Sequence, residues 1–305
     1  MEKSYWEEGS PDDAYFVGEG VETSTWVEER KNKEVDGDKE DAKDKSNAIF
    51  DEMLQDIFSP SHNIAWDESY KDRLDMICGV YSSLCNKVTL DGSFDAQERF
   101  FYTSIPVFLI ARFDRYSNEQ GDIAQALKSI NIYKDLWRRG YATSSSIQIN
   151  LWSMRSMREY LEIVSHELFH VIDLWVIWWS SSQLHPLFTE FGRPINAIDD
   201  PSLKYYALGW DSEKIRKASV GKEWYCSAYG QTDPYEDVAE CWNLYRTHNA
   251  LFRYYANKNT IMAHKYNYRA QFFDGKYLFK SKNDLFLVQN NPHAFFFDTT
   301  RIYSQ

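Results

Sequence analysis

Ser165-His166-Glu167-Leu168-Phe169-His170-Val171-Ile172-Asp173 is the stretch on which the reading of this chain turns. It lies inside residues 155–179, a run without Gly or Pro and the longest helix candidate in the sequence. Residues four apart on a helix sit one turn apart on the same face, so His166 and His170 can both direct a ring nitrogen at one ion. Glu167, one step round the helix, is placed to reach a water beside that ion and act as a general base. At the His and Glu frequencies of this 305-residue chain, a chance His-Glu-x-x-His has a probability of about 0.01. The plain alternative is a helix whose histidines only hydrogen-bond inside a core. The full motif on an uninterrupted helix, with a strand before it, argues against that.

Two ligands do not hold zinc in a catalytic site, so a third is needed. A metzincin would continue to Gly at 173 and His at 176, where this chain has Asp173 and Val176. A peptide deformylase would place a ligand cysteine well before the helix, and only Cys78 and Cys85 stand there, without Gly-rich surroundings. The remaining common solution is a glutamate on a second, downstream helix. Tyr229-Gly230-Gln231-Thr232-Asp233-Pro234-Tyr235-Glu236-Asp237-Val238-Ala239-Glu240 offers one, with Asp233 as cap and Pro234 at the first helical position. Glu236 and Glu240, four apart, share a face, as a ligand and its support should. Asp233-x-x-Glu236 also fits a capping box, so that reading of Glu236 stays open.

Taken together, these two segments resemble the catalytic domain of the anthrax lethal factor-like gluzincin metallopeptidases, a group related to the Pro-Pro endopeptidases. The family pattern is a Tyr-Gly pair, a Thr two residues after that Gly, then Glu-x-x-Ala-Glu and an aromatic. Tyr229, Gly230, Thr232, Glu236, Ala239, Glu240 and Trp242 meet it in order and without gaps. The resemblance implies that His166, His170 and Glu236 bind one zinc ion, that Glu167 is the general base, and that the Tyr229 phenol stabilises the oxyanion. It further implies that Glu240 and Asp173 support the ligands from behind. It covers roughly residues 147–279 and departs in two places. Phe169 stands where relatives often have Gly before the second histidine, and the 66-residue interval from His170 to Glu236 is longer than usual, with a Pro-rich insert to account for the excess. No receptor-binding domain like that of a multidomain toxin is expected, so delivery of a toxin or effector must come from elsewhere.

Outward from the motif, residues 145–151 alternate as a half-buried strand leading into the long helix, and residues 180–221 read as an irregular insert with Pro186, Pro194 and Pro201. Helical character resumes over 234–255. Upstream, Met53, Leu54, Ile57 and Phe58, and then Leu74, Ile77, Val80 and Leu84, recur at helical spacing. Residues 105–113 suit an edge strand with one Pro, and residues 122–137 a helix closed by Arg138, Arg139 and Gly140. His62, His185, His248, His264 and His293 lack ligand-like spacing. Arg269, Tyr266 and Tyr268 are read as a packed or solvated face rather than as cleft lining.

The net charge of −12 is unevenly spread: residues 1–48 hold 15 acidic and 7 basic side chains. From Glu28 to Asp44 almost nothing can be buried, which predicts disorder and a boundary between a tail at 1–48 and a folded domain at 49–305. Tyr5, Trp6, Tyr15, Phe16 and Trp26 in that tail are candidates for docking on the body or on a partner. The acidic balance argues against nucleic acid as a partner. The longest apolar stretch, near 174–179, is far shorter than the roughly 20 residues of a membrane span. The acidic start lacks a secretory signal, which leaves the cytoplasm or an unconventional route of export. On one shared helix Cys78 and Cys85 would stand about 10 Å apart along the axis, beyond the ~7 Å limit for bridging; a Cys226–Cys241 bridge remains open.

The expectation is an α+β, zincin-like fold with an active-site helix, a small sheet and a helical C-terminal lobe. Its expected activity is zinc-dependent hydrolysis of peptide bonds in a protein or peptide substrate. The alternative is an inactive or autoinhibited zinc-containing protein that binds a partner through its aromatic surface. The intact Glu167 speaks against loss of catalysis.

Overall fold

A computed structural model describes residues 37–58, 69–113, 123–134, 139–143, 145–176, 181–190, 193–272, 275, 277–278 and 296–302. The expectations for residues 1–36, with their five aromatics, and for His62 and His293 lie outside the described residues.

The first helix, α1 (Gly37–Phe58), starts well before residue 49, so the disorder expected up to Asp44 does not hold over residues 37–44. Lys45 pairs with Asp41 at 2.7 Å one turn away, and Phe50, Met53, Leu54, Ile57 and Phe58 are buried. The helix thus extends from an apolar anchor into charged sequence that has little to bury but can still form i,i+4 pairs. Helix α2 (Tyr70–Val80) ends where Tyr81 leaves helical geometry (φ −113°, ψ 41°), and α3 (Ser82–Cys85) resumes beyond it. This break corrects the expectation for Cys78 and Cys85: their Cα atoms are 5.6 Å apart and the two form a disulfide.

Strand β1 (Val88–Asp91) is followed by α4 (Ala96–Phe113), which contains the run at 105–113 read as a strand. All of Ile105–Ile110 is buried, so no polar face marks the period, and a short apolar run reads alike in either structure. Pro106 inside this helix cannot donate to the Tyr102 carbonyl one turn back. The Tyr160 hydroxyl donates to that carbonyl instead, at 2.8 Å. The helix expected over 122–137 is instead a single turn, α5 (Ile123–Ala126), and then β2 (Ser129–Tyr133), whose Ser-Ile-Asn-Ile-Tyr alternates with period two.

Strands β3 (Gly140–Ala142) and β4 (Ser146–Asn150) complete a four-stranded sheet of order β1-β2-β4-β3. β1, β2 and β4 are parallel; β3 runs antiparallel to β4 and forms an edge. The Ile130–Ile147 and Ile132–Ile149 pairs place four buried isoleucines on one face. Helix α6 (Met157–Val171) packs against β3 and β4, and the π-helical turn Ile172–Val176 extends it, close to the long helix expected. Ser156 caps α6 by accepting from Glu159 N at 3.1 Å, while the Glu159 carboxylate accepts from Arg155 N at 2.9 Å.

The insert is more ordered than its prolines suggested. It holds the short strands β5 (Thr189–Glu190) and β6 (Arg193–Pro194), helix α7 (Ser202–Gly209), and strands β7 (Trp210–Ser212) and β8 (Ile215–Arg216). Then α8 (Pro234–Thr247), α9 (Asn249–Lys258) and α10 (Thr260–Phe272) form the helical C-terminal part, with His248 breaking the helix expected over 234–255. α8 packs on α6, and a buried Lys265–Asp237 pair at 2.5 Å ties α10 to α8. The class is mixed α+β with a small sheet, as expected. Among the described residues no helix is long and apolar enough to cross a membrane.

Candidate metal centre

Helix α6 carries His166 and His170 on the face turned to α8, and α8 brings Glu236 from its first turn. His166 Nε2 lies 2.9 Å from Glu236 Oε2 and 3.1 Å from His170 Nε2, and His170 Nε2 lies 3.5 Å from the same carboxylate oxygen. These three side chains form a group that can hold a metal ion, and among the described residues it is the one such group. Only the Asp233 half of the expected capping box is made. The Glu236 backbone amide is capped by Asp233 Oδ1 at 2.8 Å, while its carboxylate turns away from the cap to the histidines.

The electrostatics follow from two histidines facing one carboxylate out of water. Burial pushes Glu236 up, but the charges and hydrogen bonds of His170 and His166 outweigh it and hold the carboxyl well below its ordinary range. Burial opposes charge on His166 as well, yet hydrogen bonds and charge from Glu236 and Glu240 raise its pKa well above the usual value. Glu240 lies behind: its Oε1 is 3.1 Å from His166 Nδ1, and its Oε2 accepts from Thr299 N at 2.7 Å. It is therefore placed to fix the ring orientation of His166.

Glu167 is buried, and burial raises its carboxyl above the ordinary value against the partial offset of His166 and His170. Its carboxylate lies against the backbone of Gly140 at the start of β3. A Cβ at Gly140 would come within 2.8 Å of Glu167 Cδ, so a larger residue there would push the Glu167 side chain from its place. Gly140 was expected to close a helix; its role at the site has no signature of its own in the sequence.

Tyr229 sits in a short 3₁₀ turn just before α8, and its hydroxyl donates to Glu236 Oε1 at 3.0 Å. Burial, then the neighbouring Glu236 charge, pushes the phenol far above its ordinary pKa, so it stays a donor. The turn is held from several sides. Cys226 is disulfide-bonded to Cys241 on α8, Gly230 N donates to Ser227 Oγ at 3.0 Å, and the amides of Ala228 and Tyr229 donate to the carbonyls of Phe296 and Phe297. Asp173 lies near enough to His170 for that ring's charge to act on its carboxyl, while its hydrogen bonds run to the insert. Its buried carboxylate accepts from Ser202 Oγ at 2.5 Å and from the Tyr206 hydroxyl, both on α7, and so fastens the insert to the end of the motif helix.

Phe169, the departure from the family pattern, is fully buried, with its ring 4.1 Å from that of Trp242 and under the Arg269 guanidinium. Arg269 is core, with a hydrogen bond to the Val238 carbonyl at 3.2 Å, and Tyr266 and Tyr268 pack against the core too. His248 is buried against Glu162 at 3.0 Å, and His264 is exposed. Around the centre opens a cavity of about 1010 Å³, lined by Gly140 to Ala142 of the edge strand and Thr143 after it, by Glu167, Tyr229 and Asp233, and by Phe297. Arg139 enters β3 beside it, held by Glu159 at 3.0 Å, Thr300 at 2.9 Å and Asp298. Compared with known proteins, the chain matches no family model, no curated protein and no solved structure.

Proposed function

We propose that the chain is a zinc-dependent endopeptidase of the gluzincin type with a zincin-like arrangement, in which His166, His170 and Glu236 hold one zinc ion. The observation that carries this reading is the convergence of that ligand group with the Glu167 carboxylate and the Tyr229 hydroxyl on the wall of one cavity. The donors suit the ion. Atoms about 2.0–2.2 Å from zinc at near-tetrahedral angles stand about 3.3–3.6 Å apart, and the observed separations of 2.9, 3.1 and 3.5 Å need only a small outward shift to meet this. Bound there, zinc supplies a Lewis acid for the scissile carbonyl and lowers the pKa of the attacking water.

The protein's own groups do the rest. Glu167, raised in pKa by burial, takes the proton of the attacking water and passes it to the leaving amine. The Tyr229 phenol, kept protonated, turns from Glu236 to donate to the oxyanion. Glu240 holds the His166 ring. Among the described residues the edge strand β3 pairs with β4 on one side only, and it lines the cavity, so an extended peptide can add to it as a further strand. The aromatic-surface alternative has little to draw on, since the exposed aromatics among the described residues are Tyr141, Trp152 and Phe297. The disulfides Cys78–Cys85 and Cys226–Cys241 suit an oxidising compartment.

Metal analysis and cleavage of a peptide library test the reading together. The purified protein is expected to carry about one zinc per chain and to cleave peptides, and His166→Ala or Glu236→Ala to lose tight zinc binding. Full zinc content in Glu236→Ala would move the third ligand elsewhere. A zinc-loaded protein that cleaves nothing would remove the peptidase assignment.

A further inference from the structure

Phe297 is an anomaly of the cavity wall. It is 67% exposed although its neighbour Phe296 is buried, and its ring centroid lies 6.4 Å from that of Tyr229. The backbone around it is held at every step. The Phe296 and Phe297 carbonyls accept from Ala228 N at 2.9 Å and Tyr229 N at 2.7 Å. Asp298 is held by Arg139 and accepts from Thr300 N at 2.8 Å, and Thr299 N donates to Glu240. The segment therefore clasps three parts of the site at once: the turn bearing Tyr229, the carboxylate behind His166, and the entry to the edge strand.

A large apolar ring carried on a firmly held backbone at the wall of a concavity, with most of its surface in water, is the configuration of an anchor for another apolar group. The same cavity wall carries further apolar surface from Tyr141, Ala142 and Leu174. We propose that Phe297 is a specificity-determining residue, its ring forming one wall of a subsite for a large apolar side chain of the substrate peptide. This rests on the peptidase reading. An extended peptide advances about 3.3–3.6 Å per residue, and the ring stands 6.4 Å from the phenol beside the reacting bond. The subsite thus serves a residue within about two positions of that bond. The main-chain bonds of the clasp do not use the phenylalanine side chain, so Phe297→Ala removes the wall and leaves the clasp.

The test is kcat/KM on a peptide set in which each position within two residues of the cleaved bond carries Ala, Leu or Phe in turn. For the wild type, one position should favour Leu or Phe over Ala by about tenfold or more. In Phe297→Ala that ratio should fall at least about tenfold, and Phe297→Leu should retain most of it, with zinc content and melting temperature of both near wild type. A wild type without an apolar preference at any of these positions, or a Phe297→Ala ratio within about threefold of wild type, overturns the inference while leaving the peptidase reading in place. No cleavage by zinc-loaded wild type overturns both.

Discussion

Glu167 and Tyr229 are the residues on which chemistry and architecture can be separated most cleanly. Glu167 touches no other ligand-group atom at hydrogen-bonding distance among the described contacts, and it stands over Gly140, where its carboxylate and a neutral amide occupy nearly the same space. Glu167→Gln is therefore expected to keep zinc content and stability yet lose nearly all turnover, since it removes a base and no ligand; turnover at the wild-type rate would refute the mechanism. Tyr229→Phe is the complementary case. The lost hydroxyl donates to Glu236 Oε1 in the resting site and to the oxyanion in the proposed reaction. Zinc content and KM should stay close to wild type while kcat falls by roughly 10²–10³, the range for one oxyanion donor. A fall of less than about threefold would take Tyr229 out of the site. His166, Glu167 and His170, and the 236 and 240 pair, were legible because helical spacing converts sequence distance directly into direction, whereas Tyr229, in a turn before α8, was reached only through the family resemblance. Gly140, Arg139 and Phe297 were not legible, because they meet the centre through strand pairing and a C-terminal return that no local pattern encodes.

At the scale of elements, alternation marked strand β4, the same alternation in β2 was overridden by a helix reading of 122–137, and periodicity gave no guidance where a segment is buried on every side. Helix α6 is buried from Glu159 through Phe169 without an exposed polar face, and what marked it was a run free of Gly and Pro around the His-Glu-x-x-His motif. Residues 105–110 are buried throughout, and the single Pro106 then tips a sequence reading toward an edge strand. What makes Pro106 tolerable in α4 is a partner 54 residues further along the chain, the Tyr160 hydroxyl that takes the Tyr102 carbonyl. Tyr160→Phe should therefore destabilise by about 1–3 kcal/mol, because it leaves a buried carbonyl without a donor while conserving the ring. Urea denaturation measures this, and a loss below about 0.5 kcal/mol would show that the carbonyl finds another donor. Likewise the Cys78–Cys85 bridge was invisible to a reading that assumed one continuous helix; the break at Tyr81 brings the two cysteines within reach.

For the molecule as a whole, the insert is held to the motif helix through a buried acidic cluster, and this leaves a signature in the pH dependence of stability. Asp173 receives Ser202 and Tyr206, and Asp200 accepts from Asn196 Nδ2 at 2.9 Å and Ser202 N at 2.8 Å. Burial first, and then the nearby Asp173 charge, raises the Asp200 carboxyl to about 6 from its ordinary 3.8, with those hydrogen bonds only partly offsetting it. A carboxyl whose folded pKa is raised favours folding when protonated, so its contribution is fully present below about pH 3.8 and is lost as pH rises through about 6. The difference corresponds to roughly 3 kcal/mol at about 1.36 kcal/mol per pH unit. Asp200→Asn keeps a neutral group of the same shape at every pH: its oxygen can keep the Ser202 N bond, and a turn of the Asn196 amide about its last bond brings the unpartnered Asn196 Oδ1 to face the new NH2. Relative to wild type, Asp200→Asn should therefore gain roughly 2–3 kcal/mol between pH 4 and pH 7, most of it between pH 4 and pH 6. Denaturation of both proteins across that range reads the gain directly, and parallel stability curves would mean that Asp200 ionises in the folded protein as it does in the unfolded chain.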